Sequence, residues 1–165
     1  ETKSKPYIIF GSSTQINKDN PYGRAKKEIG KMFRDWGEKN ESNVANLIIP
    51  NEFGESATPG RISVVSTFCE DLVTGKESKV SDTATVFLVH AQDVVKKIYE
   101  LILEPKNEDV LLQGVEMSVL DLHKTLSEFK NSYYMDVVPH LKDSLHTALF
   151  NNLRWHIFYN SFLLF

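Results

Sequence analysis

Pro6-Tyr7-Ile8-Ile9-Phe10-Gly11-Ser12-Ser13-Thr14, followed by Asn20-Pro21-Tyr22-Gly23-Arg24-Ala25-Lys26, is the stretch on which the fold turns. The apolar run at 6–10 ends at Gly11, as a buried strand does. Ser12, Ser13 and Thr14 then fall at the strand's C-terminal edge, where open α/β sheets place their ligands. Asn20 is a strong N-cap residue and Pro21 suits the first helical position. Tyr22, Ala25, Ile29, Met32, Phe33 and Trp36 recur at helical spacing. Val44–Ile49 reads as the next strand. Strand, helix and strand of these lengths form a βαβ unit, so the two strands are expected to be parallel with a right-handed crossover.

Within that helix Tyr22 and Lys26 are four residues apart and share a face. An ammonium beside a phenol favours the phenolate. An unperturbed phenol titrates near ~10 and is a poor proton donor at neutral pH. Tyr-x-x-x-Lys is therefore a means of making a general acid/base from tyrosine, and a hydroxyl at the preceding strand end can bond the same substrate oxygen. The spacing alone recurs by chance in a chain with 6 Tyr and 15 Lys. The bland reading is a core-edge tyrosine, a solvated lysine and three turn hydroxyls; the flanking strand and cap favour the catalytic one.

The rest of the chain continues the alternation. A loop at 55–61 contains Thr58-Pro59-Gly60. Residues 62–74 read as a helix closed by Gly75, and 85–89 as a strand by β-branched content. Residues 92–103 form an amphipathic helix stopped by Pro105, with Asp93 as a first-turn acid. Val110-Leu111-Leu112 is a short strand. Ser118 and Asp121 resemble a capping box opening a helix to about Lys130. From Leu141 no repeat or linker is evident. The end, through Trp155-His156-Ile157-Phe158-Tyr159 and Phe162-Leu163-Leu164-Phe165, is too apolar for a solvated tail. It either packs on this chain or leads into more protein.

Composition narrows the function classes. The 165 residues carry a net charge of −3 with a pI near 6.0, which argues against general nucleic-acid affinity. The one cysteine, Cys69, permits no internal disulfide, fits a reducing cytoplasm, and reads as a small core residue. No apolar run reaches ~18 residues, so no membrane span is expected. The five histidines show no metal-ligand spacing, and no metal site is expected.

At these motifs the chain resembles an extended short-chain dehydrogenase/reductase of the NAD-dependent epimerase/dehydratase family. The shared features are Ser12-Ser13-Thr14, Pro21-Tyr22-Gly23 through Lys26, the Pro50-Asn51-Glu52-Phe53-Gly54 turn and Val89-His90-Ala91-Gln92-Asp93-Val94-Val95. Gln15, Asp19-Asn20 and Ser66-Thr67-Phe68-Cys69 make it most like the nucleotide-sugar reductases of bacterial capsular polysaccharide biosynthesis. The likeness is good over residues 6–103 and faint beyond.

The resemblance implies the C-terminal part of a Rossmann-like α/β parallel sheet, with a small substrate-binding subdomain. Residues 1–103 would be half of a dinucleotide-binding domain, and 104–165 a substrate-side subdomain with an apolar C-terminal segment. Ser13 would polarise the substrate oxygen, Tyr22 carry the proton and contact the cofactor, and Lys26 bind the nicotinamide ribose. Pro50 would touch the cofactor, NADP or NAD. Thr14 and Asn51 would contact a uridine-diphosphate sugar. Arg61, the only arginine between 35 and 153, is the candidate for its diphosphate; the alternative is an exposed loop arginine.

The resemblance further implies a cytoplasmic enzyme, a possible homodimer, without nucleic-acid or membrane partners. Two family features are missing: the Gly-x-x-Gly-x-x-Gly pyrophosphate turn, and an arginine in the 82–87 stretch. Together with a start at Glu1, the first suggests the C-terminal part of a longer polypeptide, inactive alone. The expected activity is reduction of a keto-sugar nucleotide. The alternatives are epimerase or dehydratase chemistry on the same fold, or a non-catalytic binding module.

Overall fold

Residues 8–13, written Ile8–Ser13, form the first strand, β1, in a computed structural model that describes residues 5–162. Strand β1 outlasts its apolar run: it carries through Gly11 and ends with Ser12 buried and Ser13 half-exposed. A 3-10 turn at Thr14–Asn17 leads to helix α1 (Pro21–Asn40), capped by Asn20 with Pro21 in its first turn. Strand β2 (Val44–Ile49) follows, buried over its first four residues. It pairs with β1 in parallel, in the register Ile8↔Val44 to Ser13↔Ile49. This is the β-α-β arrangement that the periodicity called for.

The described chain divides into two compact units. One runs to Pro50 and takes in Gln92–Gln113. Its sheet has the order β1-β2-β5, where β5 (Asp109–Leu111) adds in parallel to β2. Helix α3 (Ala91–Leu103) leads into β5, with Val94 and Leu101 buried and Asp93 in its first turn.

The second unit comprises Asn51–Ala91 and residues from Gly114 onward. Its sheet runs β3-β4-β6. Strand β3 (Asn51–Phe53) is parallel to β4 (Thr85–His90), and β6 (Val115–Ser118) is antiparallel to β4. Helices α2 (Val64–Thr74), α4 (Val119–Tyr134) and α5 (Ser144–Phe162) pack together. Phe53, Phe68, Leu88, Leu122, Leu126, Leu149 and Leu153 form their common core.

Several expectations shift by a few residues for local reasons. Ser63 caps α2 by accepting from the Ser66 N–H at 3.3 Å, so the helix begins at 64 rather than 62. Gly75 closes it in the left-handed region, φ 73°. Ser118 accepts from the Asp121 N–H at 2.9 Å, as a capping box requires, and α4 continues to Tyr134. Asn51–Phe53, expected within a turn, is a short strand because Leu88–His90 offers it a parallel partner. The apolar end folds as α5 over Ser144–Phe162 and packs on this chain; Leu163, Leu164 and Phe165 lie outside the described residues. The units interleave along the sequence, so a single boundary at 103 matches neither: β5 joins the first sheet, while α2 and β4 belong with α4 and α5.

Candidate active site

Ser13 is the last residue of β1, opposite Ile49, so it and Pro50 emerge at the same C-terminal edge of the parallel sheet. Side chains alternate along a strand. Ser12 is therefore turned inward, its Oγ buried without a partner among the described residues, and Ser13 is the accessible hydroxyl. Ser13 Oγ accepts from the Gln15 N–H at 3.3 Å and caps the 3-10 turn that Thr14 begins.

The turn then hands on to the helix. Asn20 Nδ2 donates to Gln15 Oε1 at 3.3 Å, and Asn20 Oδ1 accepts from the Gly23 N–H at 2.7 Å. A continuous chain of bonds thus links Ser13, Gln15 and Asn20 to the first turn of α1, which carries Tyr22. Gly23 is buried where α1 presses on that turn: a Cβ there would stand 2.1 Å from the Gln15 carbonyl oxygen. Arg24 pairs with Asp19 on the outer side.

Tyr22 is 49% exposed, its ring open to an incoming molecule. Lys26, one turn on, folds back over the strand end. Its Nζ donates to the Gly11 carbonyl at 2.7 Å and lies 4.9 Å from the Phe10 ring centroid and 5.8 Å from that of Tyr22. An ammonium has three donors. One is spent on Gly11, and the cation–π contact with Phe10 further restricts the side chain. The structure thus gathers Ser13, Thr14, Tyr22, Lys26 and Pro50 on one unit. Sequence reasoning missed the Gly11 carbonyl and the Phe10 ring as the seat of Lys26. Gln15 and Asn20 were noted only as shared letters and a cap; no spacing rule signals their mutual bond.

Asn51 and Arg61 belong to the second unit. Asn51 opens β3, and its Oδ1 accepts from the Phe87 N–H at 3.1 Å. That bond occupies the carboxamide oxygen of an exposed residue and leaves its amide N–H groups as the side chain's donors. Arg61 is exposed and lines a cleft of about 490 Å³ with Ile62, Ser63, Phe68, Glu77 and Lys79. The N-terminal end of α2 opens into this cleft, and free helix N–H groups attract anions.

Cys69 is fully buried, and desolvation pushes its thiol up to about 12, so it is no nucleophile. His156 is buried as well, with Nδ1 3.1 Å from Glu70 Oε2. Among the described residues no three His, Cys, Asp or Glu side chains are grouped to hold a metal, and no helix is long and apolar enough to cross a membrane.

Residues 3–112 match the model of the NAD dependent epimerase/dehydratase family. The chain is 28% identical over 148 residues to UDP-2-acetamido-2,6-beta-L-arabino-hexul-4-ose reductase of Pseudomonas aeruginosa, covering 87% of this chain and 40% of that protein. It superposes with a TM-score of 0.85 and 26% identity on the capsular polysaccharide assembling protein CapF of Staphylococcus aureus, over 96% of this chain and 45% of that one. The UDP-N-acetylglucosamine 4-epimerase of Methanobrevibacter ruminantium shares the fold, with a TM-score of 0.76 and 14% identity over 92% of this chain and 63% of that one. The chain spans less than half the length of the first two. Its α/β architecture is that of the Rossmann-like reductases and epimerases, and the chain belongs to the NAD dependent epimerase/dehydratase family.

Proposed function

We propose that the protein carrying this chain reduces a keto-sugar nucleotide with NADH or NADPH, as a step of bacterial surface-polysaccharide synthesis. The observation that carries the reading is Lys26, tethered to Gly11 beside an accessible Tyr22 and one strand end from Ser13. A nicotinamide cofactor, when bound, supplies the hydride. The residues present suit its ribose: Lys26 keeps two donors after bonding Gly11, and Pro50 shares its sheet edge. This chain offers no glycine-rich pyrophosphate turn, so that contact is assigned to no residue of it.

In this reading Ser13 donates a hydrogen bond to the substrate carbonyl oxygen. Tyr22 delivers the proton to that oxygen as the alcohol forms. Thr14, next to Ser13, contacts the sugar. Asn51 presents an N–H donor, and Arg61 takes the diphosphate with Lys79 and the α2 N-terminus supporting it; charge-assisted bonds of this kind are the strong ones. The UDP-sugar reductase relative favours reduction over the epimerase chemistry of other family members, and the likeness to a capsular polysaccharide assembling protein favours a place in surface-polysaccharide synthesis.

The test is a panel of keto-sugar nucleotides, short aldehydes and 2-keto acids, with the full-length protein, followed by NADPH and NADH oxidation. Oxidation with keto-sugar nucleotides is expected, and Tyr22→Phe should cut turnover ~10²–10⁴-fold with cofactor affinity nearly unchanged. Lys26→Ala should weaken both. Preference for simple carbonyls rejects the nucleotide-sugar assignment. Tyr22→Phe retaining about half of the parent activity rejects Tyr22 as proton donor.

A further inference from the structure

Helix α1 carries a buried glycine, Gly30, at its middle, where glycine is the poorest helix former after proline. Packing does not demand it: a Cβ there would meet only the Asn46 carboxamide, at 3.6–3.7 Å, an ordinary contact. What glycine leaves open is a cavity of about 190 Å³ between α1, β2 and the start of β5, lined by Arg34, Glu38, Asn46, Asn107, Glu108 and Asp109 besides Gly30 and Val44. Asn46 is 93% buried, being 7% exposed, and its Oδ1 has no hydrogen-bond partner among the described residues. A buried acceptor without a donor is costly.

The other groups are already committed in ways that define what is wanted. Arg34 is held by Asp109 at 2.9 Å. Asn107 Oδ1 accepts from the Val44 N–H at 3.1 Å. Lys106 meets Glu108 at 3.5 Å, with both side chains half-exposed. Against the two cations Arg34 and Lys106 stand three carboxylates, those of Glu38, Glu108 and Asp109, a surplus of one negative charge. An orphaned acceptor within a surplus of negative charge calls for a ligand that is both a cation and a hydrogen-bond donor. The volume admits roughly six waters' worth of matter, at about 30 Å³ each.

We propose that this cavity binds a small organic cation through a primary ammonium, its N–H donated to Asn46 Oδ1 and its charge balanced by Glu38 and Glu108. The site is separate from the Ser13–Tyr22–Lys26 edge and does not depend on the function assigned to it.

The test is a titration of the full chain with methylammonium chloride, read by NMR at the Asn46 side-chain amide. Tetramethylammonium chloride at matched ionic strength is the control, since it has charge but no N–H. Saturable shifts are expected with methylammonium alone. Asn46→Leu, read at neighbouring backbone amides, and Glu108→Gln should each weaken binding about tenfold or more. Should Asn46→Leu fail to fold, Glu108→Gln carries the comparison. Non-saturating shifts, an equal response to both cations, or undiminished affinity in either variant would mean a water-filled cavity and overturn the proposal.

Discussion

Three buried glycines lie seven residues apart on α1, at 23, 30 and 37, and replacing each by alanine should split them by sign. Alanine gains up to ~1 kcal/mol over glycine inside a helix. Against this stands the added methyl. At Gly23 it would lie 2.1 Å from the Gln15 carbonyl oxygen and 2.8 Å from that of Lys18; both are backbone atoms, so α1 or the 3-10 turn has to move. At Gly37 it would meet Val44 Cγ2 at 2.6 Å and the Ser42 carbonyl at 2.8 Å. At Gly30 its nearest neighbour stands at 3.6 Å, a contact that costs nothing. Forced overpacking costs ~1–3 kcal/mol. Gly23 and Gly37 sit near the helix ends, where the propensity gain is smallest. We therefore expect Gly23→Ala and Gly37→Ala to lose ~1–2 kcal/mol, and Gly30→Ala to gain up to ~1 kcal/mol, or ~2–4 °C in Tm for a chain of this size. Urea unfolding of the three variants measures the differences. Gly23→Ala should also depress kcat by shifting the turn that holds Tyr22, which Gly37→Ala should not. A Gly30→Ala variant less stable than Gly23→Ala would refute the reasoning.

Other consequences follow from single contacts. Burial holds His156 below the usual histidine pKa despite Glu70 beside it, so the folded state favours the neutral ring; stability should be full above ~6.5 and fall as pH drops below it. Melting curves at pH 8 and pH 5 should show the difference between wild type and His156→Gln shrinking in acid, and a constant difference would contradict the linkage. Cys69, with its thiol raised to about 12, should resist iodoacetamide at pH 8 until the protein is unfolded in denaturant; rapid native labelling would show that the α2–α5 contact opens. Asn51→Asp keeps the acceptor for the Phe87 N–H but replaces the amide donor with a charge, so stability should change by under ~0.5 kcal/mol while KM for the nucleotide sugar rises about tenfold or more. An unchanged KM would remove Asn51 from the substrate site.

What the sequence disclosed, and what it hid, divides along a physical line. β1, α1 and β2 were legible because each is specified locally: an apolar run, an Asn-Pro cap and helical spacing suffice, and parallel pairing follows from the connection. The cap at Ser118 was readable for the same reason; the one at Ser63 was not singled out, because Ile62 before it extends the apolar pattern past the true start of α2. β3 and β6 were not, since three- or four-residue strands exist only through β4, their partner far along the chain. α5 was hidden for a different reason. Its buried face includes Asn152 and His156, polar residues that blur the apolar period, and they are buried because α2 supplies Cys69 and Glu70 as partners. Asp143 caps it by accepting from the His146 N–H at 2.8 Å, a start signal obscured by Pro139 and His140 just before it.

The candidate site shows the same division within a few residues. Tyr22 and Lys26 were placed on one helix face by their spacing alone. That Lys26 leans back to Gly11 rather than out to solvent depends on β1 running past its apolar stretch, so that a carbonyl and the Phe10 ring come within reach. The Tyr-x-x-x-Lys pattern specifies which groups are present; the strand end beneath them specifies the direction of the ammonium. Lys26→Arg separates the two: it preserves the charge but has to find space for a planar guanidinium between Phe10 and Gly11. If position alone were sufficient, Lys26→Arg would behave as the parent. With Lys26 seated as it is, we expect Lys26→Arg to fall closer to Lys26→Ala in both turnover and cofactor affinity, measured side by side with the full-length protein.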